Sequence, residues 1–244
     1  DVSDGVRFPG GPGWTISSKD YARKPMAFNE SRHSTLEASF LGITIQAGTP
    51  GPAALKTALD TLFNHSNTGP FFARQMIQRL VTSNPSPAYV GRVTAKFNDN
   101  GTGVRGDLKA VWTAILLDSE ALGASSLADN LFGKLREPIL RLIQWARTFE
   151  ATSAAGSWKI LNTNSADDHL GQSPLQSPSV FNFFRPGFIP PGTALAALQA
   201  PAPEFQLVSE TTVASYLNYM QTVIRQGIFC PKPSVPEAAF EGPY

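Results

Sequence analysis

Residues 104–117 read Val-Arg-Gly-Asp-Leu-Lys-Ala-Val-Trp-Thr-Ala-Ile-Leu-Leu. Their apolar side chains fall at Val104, Leu108, Val111, Trp112, Ile115 and Leu116, the three-and-four spacing that lines one face of an α-helix. The same period recurs on both sides. Pro52 suits a first helical turn, with Leu55, Leu59, Leu62 and Phe63 on one face. Thr68 and Pro70 then open a stretch carrying Phe72, Met76, Ile77, Leu80 and Val81. Ser86-Pro87 starts another, with Tyr89, Val90, Val93 and Phe97. Downstream, Glu137 to Phe149 turns Ile139, Leu142, Ile143 and Ala146 inward. Ser209 to Gln226 does so with Val213, Leu217, Met220 and Ile224, leaving Tyr216 and Tyr219 on another face and Gly227 as the stop. The chain is therefore expected to be mainly α.

Two regions break the helical pattern. In residues 1–50 the glycines and prolines around Gly10 and Pro12 precede Trp14-Thr15-Ile16, and Leu41-Gly42-Ile43-Thr44-Ile45 alternates as a short strand does. This predicts loops with a small β-hairpin, packed on a helical body because they hold too few periodic apolar residues to fold alone. The second region is a strap, residues 170–192, rich in Pro, Gly and Phe and carrying the single charge of Arg185. Its prolines and glycines exclude a long helix or central strand. A solvated linker would be polar, whereas this one concentrates Phe181, Phe183, Phe184, Phe188 and Ile189. It is expected to pack on a body or to bind. The expected organisation is a loop-rich section at 1–50, an irregular helical domain at 51–227 that includes the strap, and an extended tail at 228–244.

Composition narrows the function classes. The chain has 244 residues, enough for one large domain or two modest ones, and 42% of them are hydrophobic, as in a globular protein. Lys and Arg total 20 against 19 Asp and Glu, so no overall field attracts nucleic acid. The sole cysteine, Cys230, permits no intrachain disulfide and no zinc-type cysteine cluster. It has no local histidine and reads as a small apolar residue. Apolar runs such as Ala110 to Leu117 are far shorter than the roughly 20 residues that span a bilayer.

Few motifs carry chemistry. Gly101-Thr-Gly103-Val-Arg-Gly106 matches the letters of a dinucleotide fingerprint, but a helical segment precedes it where the fingerprint needs a buried strand. It reads instead as a helix end and turn. A calcium loop fails on register, since either central glycine puts a lysine, Lys96 or Lys109, at a ligand position. No two of His33, His65 and His169 share a helix-face spacing. Asp167-Asp168-His169 is the densest titratable group: it suits a turn, and it is also the weak candidate for catalysis. No Gly-x-Ser-x-Gly elbow occurs, and Ser173, Ser177 and Ser179 read as turn residues. No cofactor and no resident metal is expected from these motifs.

Several runs together resemble the bacterial family known as domain of unknown function 1800. They are Gly69 to Val90, Phe97 to Ala110, Lys134-Leu-Arg-Glu-Pro138, Gly171-Gln172 and Pro178 to Phe184. The family often has His-Asp and then a Lys before Leu-Gly; here Ser34 follows His33, and Ser39 stands near the Lys position. The resemblance implies a mainly α fold, export to the periplasm or beyond, no established reaction, and likeness to a C-terminal half. Expected partners are an N-terminal half of the same precursor or another exported protein, with oligomers allowed. The favoured function is a binding or assembly module engaging a partner protein or extracellular polymer through Phe181, Phe183, Phe184, Arg185 and Phe188. The alternative is a hydrolase or metal-assisted enzyme using Asp167, Asp168 and His169.

Overall fold

The computed structural model of the chain describes residues 28–153, 160 and 162–228. The loops expected around Gly10 and Trp14, the tail with Cys230, and part of the polar stretch before the strap lie outside them. The chain folds as two compact units, Asp1–Thr68 and Gly69–Tyr244.

In the first unit, Asn29 caps a 3-10 turn at Glu30–Arg32, its side chain accepting from the Ser31 amide. The expected hairpin follows: β1, Ala38–Phe40, pairs antiparallel with β2, Ile43–Ile45, with Ala38 opposite Ile45. Leu41 and Gly42 both have positive φ, 48° and 81°, as a two-residue type I′ turn requires. Helix α1, Gly51–Asn64, starts with Pro52 in its first turn. The Phe28 ring lies on its N-terminal residue, where a Cβ at Gly51 would sit 1.9 Å from the ring and force that exposed side chain aside. The predicted stripe Leu55, Leu59, Leu62 and Phe63 is largely exposed, and Gly51 and Ala54 are the buried positions.

Three helices build the first core of the second unit: α2, Thr68–Leu80; α3, Pro87–Asn98; and α4, Leu108–Leu116. Ala73 and Ile77, Tyr89, Val93 and Phe97, and Val111 and Ile115 interlock there. Each is the inward set of its own helix. Ser86 caps α3 by accepting from the Tyr89 amide, and Asp107 caps α4 by accepting from Lys109 and Ala110. The intervening loop is built by side chains. Asp99 accepts from the amides of Gly101 and Gly103, and Asn100 accepts from Thr102 while donating to Asp107 at 2.8 Å. These bonds hold the Asp99 and Asp107 carboxyls below the ordinary range, and they make the loop a self-satisfied turn.

Helix α5, Ser119–Leu122, is capped by Asp118, which also forms a two-pronged ion pair with Arg92 of α3 at 2.6 and 2.7 Å. Beneath it the Tyr89 hydroxyl donates to the Ile115 carbonyl. Burial first, then the Asp118 and Glu120 carboxylates, push the Tyr89 phenol up to about 12.

A second core joins α6, Pro138–Thr148, to α8, Glu210–Gln226, through Ile139, Leu142, Leu170, Met220 and Val223. Between them lie α7, Ala194–Ala197, and a 3-10 turn, Pro203–Leu207. The orientation of α8 corrects the sequence reading. Leu217 and Ile224 point outward, whereas Tyr216, Tyr219, Met220 and Val223 pack toward α6. Polar contacts decide this rotation: the Ser215 hydroxyl donates to the His169 carbonyl at 2.6 Å, and Tyr219 packs on the His169 ring.

Candidate functional site

The strap is fastened from the inside at two places, and a buried ion pair just beyond its end braces the second of them. Leu170 is buried in the α6–α8 core, and the next residue but one, Gln172, is a hydrogen-bond hub. Its amide oxygen accepts from the Ile139 amide at 3.2 Å, and its amide nitrogen donates to the Glu137 carboxylate. Its main chain pairs with Thr163, whose carbonyl accepts from the Gln172 amide and whose hydroxyl donates to the Gln172 carbonyl at 2.6 Å. Helix α6 has no side-chain cap at its own N-terminus. Gln172 supplies one from the strap, satisfying an amide that the first helical turn leaves open.

The second fastening is aromatic. Phe184 is 1% exposed, and the Arg79 guanidinium of α2 lies 4.4 Å from its ring centre. One guanidinium nitrogen of Arg79, Nη1, is buried without a hydrogen-bond partner among the described residues, so the ring face is a principal neighbour of that charge.

The bracing pair is built on Glu204, in the 3-10 turn beyond the strap. Glu204 is 1% exposed and pairs with Lys134 at 2.7 Å, with the Ser83 hydroxyl 3.5 Å from its second oxygen. The Lys134 ammonium also donates to the Arg79 carbonyl at 2.8 Å. Around this pair the end of α2 is tied to the segment before α6. The Ser83 amide donates to the Gly133 carbonyl, the Gly133 amide to the Thr82 hydroxyl, and Asn84 reaches the Pro201 carbonyl. Gln78 donates to the Ser83 carbonyl at 3.0 Å. A buried carboxylate and ammonium hold together only when hydrogen bonds such as these satisfy their remaining valences.

Between these fastenings the strap faces outward. Leu175 and Val180 are fully exposed, at 104% and 96%, and Phe181 is exposed as well. Arg185 is exposed, its guanidinium 5.8 Å from the Phe181 ring and its amide donating to Gln206. Phe183 and Phe188 are half-buried, and the Phe188 carbonyl accepts from the Ala202 amide. The five strap residues proposed for binding thus divide: Phe184 serves the interior, Phe181 and Arg185 face solvent, and Phe183 and Phe188 lie between.

Asp167, Asp168 and His169 form a turn at the strap's entrance. His169 Nδ1 lies 2.7 Å from Asp168, whose carboxyl is held below its ordinary range by the Ser165 hydrogen bond and then by the His169 contact. The His169 ring rests on Tyr219, whose phenol is pushed up by burial. Asp167 and Asp168 are exposed. Among the described residues no three His, Cys, Asp or Glu side chains gather as a metal site. In the first unit His33 Nε2 lies 3.2 Å from the Thr49 carbonyl, and its ring meets the Phe28 ring edge-on.

The reading of the sequence missed Glu204 altogether and gave no role to Lys134 or Gln172. A faint signal existed. Glu204 is the single charge in Ala-Leu-Gln-Ala-Pro-Ala-Pro-Glu-Phe, a run otherwise apolar enough to be buried.

These features define a mainly α protein whose irregular strap is latched to two helical cores by a buried glutamine and a buried phenylalanine. A family model described as "Protein of unknown function (DUF1800)" matches residues 12–231, and the chain belongs to this family. No curated protein and no solved structure matches it.

Proposed function

We propose that the chain is the binding or assembly module of an exported bacterial protein, acting in the periplasm or outside the cell through the outer face of the strap. The carrying observation is the division of the strap. Its inner residues Gln172 and Phe184 are consumed by the latch, while Leu175, Val180 and Phe181 project apolar surface that the fold itself does not use. Apolar side chains held outward on an ordered loop favour contact with another macromolecule. A partner protein suits this tip, because the exposed Leu175, Val180 and Phe181 are interleaved with the polar Gln176, Ser177, Ser179 and Asn182, a mixture of apolar and hydrogen-bonding surface of the kind protein interfaces use.

The test compares the wild-type chain with Val180→Asp/Phe181→Asp, both expressed with their native export route. A partner cross-linked to the wild type through a photoreactive residue at position 175, and lost in the double variant, supports the reading. An identical cross-linking pattern for both chains sinks it. Hydrolytic activity that vanishes in His169→Ala but survives in the strap variant would move the function to the Asp168–His169 turn.

A further inference from the structure

Helix α8 presents an apolar seam away from the core that it helps to build. Val213, Leu217 and Ile224 are 47%, 61% and 58% exposed. At 100° per residue they lie on one side of the helix, with Ala214 and Gln221 beside them, and Glu210 continues the line of Leu217 and Ile224 at seven-residue intervals. The helix has 17 residues, so the seam runs for about 25 Å. Its two ends carry opposite charge, Glu210 in the first turn and Arg225 in the last.

That arrangement is self-complementary in one direction only. A second α8 laid parallel would set Glu210 against Glu210 and Arg225 against Arg225. Laid antiparallel about a two-fold axis near Leu217 and Asn218, it brings Glu210 to the partner's Arg225 at both ends. The same operation places Leu217 beside its own symmetry mate and Ile224 between Glu210 and Val213 of the partner helix. Two grooves between α6 and α8 border the seam on its α6 side and offer further surface to a partner, one lined by Val208 and Leu217, the other, of about 690 Å³, by Ile143 and Ile224. This matters because a stable interface needs roughly 1,200–2,000 Å² in all, more than one helix pair offers. We infer that this chain forms a two-fold symmetric dimer through antiparallel packing of α8. The dimer face is distinct from the outer face of the strap.

Sedimentation velocity of the full 244-residue chain, from about 1 to about 200 μM, reads the equilibrium directly. A monomer–dimer equilibrium is expected. Glu210→Arg or Arg225→Glu alone should weaken it roughly tenfold, because each acts at two symmetric contacts, and the two together should restore it to within roughly threefold. Leu217→Asp should leave a monomer whose far-ultraviolet circular dichroism is unchanged. The strap variant Val180→Asp/Phe181→Asp should dimerise as the wild type does, so loss of strap binding and loss of this dimer are separately visible. A chain that stays monomeric over the whole range, a dimer indifferent to Leu217→Asp, or charge reversals that do not rescue each other would each overturn the inference.

Discussion

Replacing Lys134 by Met should destabilise the second unit by about 3–4 kcal/mol, within the range for breaking a buried ion pair from one side. The structure sets where in that range it falls. Glu204 has 2% of its side-chain surface exposed and Lys134 has 12%, so neither charge regains much water when the other is removed. Without the ammonium, Glu204 keeps, among the described residues, the Ser83 hydroxyl at 3.5 Å, a long and weak contact, and the Arg79 carbonyl loses its 2.8 Å donor. Two buried acceptors are left short. Glu204→Gln is milder, at about 2 kcal/mol, because the amide retains the shape and Lys134 keeps the Arg79 carbonyl. Lys134→Met/Glu204→Leu removes both charges and should lie within about 1–2 kcal/mol of wild type, less than the single Lys134→Met change. Urea unfolding of these three variants and of Glu204→Leu, followed by circular dichroism, gives their stabilities and the coupling energy of Lys134→Met with Glu204→Leu. A Lys134→Met chain within about 1 kcal/mol of wild type, or a double variant whose loss is the sum of the singles, would refute the latch as described.

Other predictions follow from the same contacts. Phe184→Ala should cost about 3–5 kcal/mol in urea unfolding, whereas Phe181→Ala, three residues away and exposed, should stay within about 0.5 kcal/mol. Gln172→Ala should cost about 2–3 kcal/mol, because it strips the Ile139 amide and the Glu137 carboxylate of a partner, and limited proteolysis should then cut the strap sooner. The Arg92 hydrogen bond holds the Asp118 carboxyl below its ordinary range, so its contribution is full above the unfolded value of about 4 and disappears as pH falls through the lower folded value. Asp118→Asn should flatten that acid limb of the stability curve. For Tyr89 the sign is opposite: with its phenol pushed up to about 12, the stability it lends is present below about 10 and is lost as pH rises toward 12, which Tyr89→Phe should abolish in alkaline unfolding.

How much of this could be read from the chain depends on what each feature is made of. Helices α2, α3, α4, α6 and α8 were legible because local periodicity agrees with a capping residue or an early proline, and at Ser86-Pro87 before α3 with both. The hairpin was legible too, though its strands are only three residues each, because Gly42 permits the turn. The rotation of α8 was not. Both of its faces carry large apolar side chains, and the choice between them is made by Ser215 meeting a carbonyl 46 residues away in sequence. The latch is illegible for the same reason. Lys134 and Glu204 are separated by a strap whose path is irregular, so nothing local marks them as partners. Asp168 and His169 did come together, as adjacent turn residues readily do, but no third ligand or acid joins them among the described residues.

Four of the five runs through which the chain resembles its family have a shared physical task; the fifth, Phe97 to Ala110, forms the self-satisfied turn before α4. Gly69 to Val90 supplies Arg79, Thr82 and Ser83, the Lys134–Pro138 run supplies Lys134 and Glu137, and the strap supplies Gln172 and Phe184. All of them meet at the latch. Phe181, in contrast, lies inside the same Pro178–Phe184 run yet points away from it. A strap held this tightly from within can present its outer tip at little conformational cost on binding, since the backbone entropy has already been lost in folding. It follows that loosening the latch should weaken partner capture even though no latch residue touches the partner. Gln172→Ala should therefore reduce cross-linking from position 175 at a temperature where the chain is still folded, and strap binding that is indifferent to this change would show that the tip does not need its inner anchors.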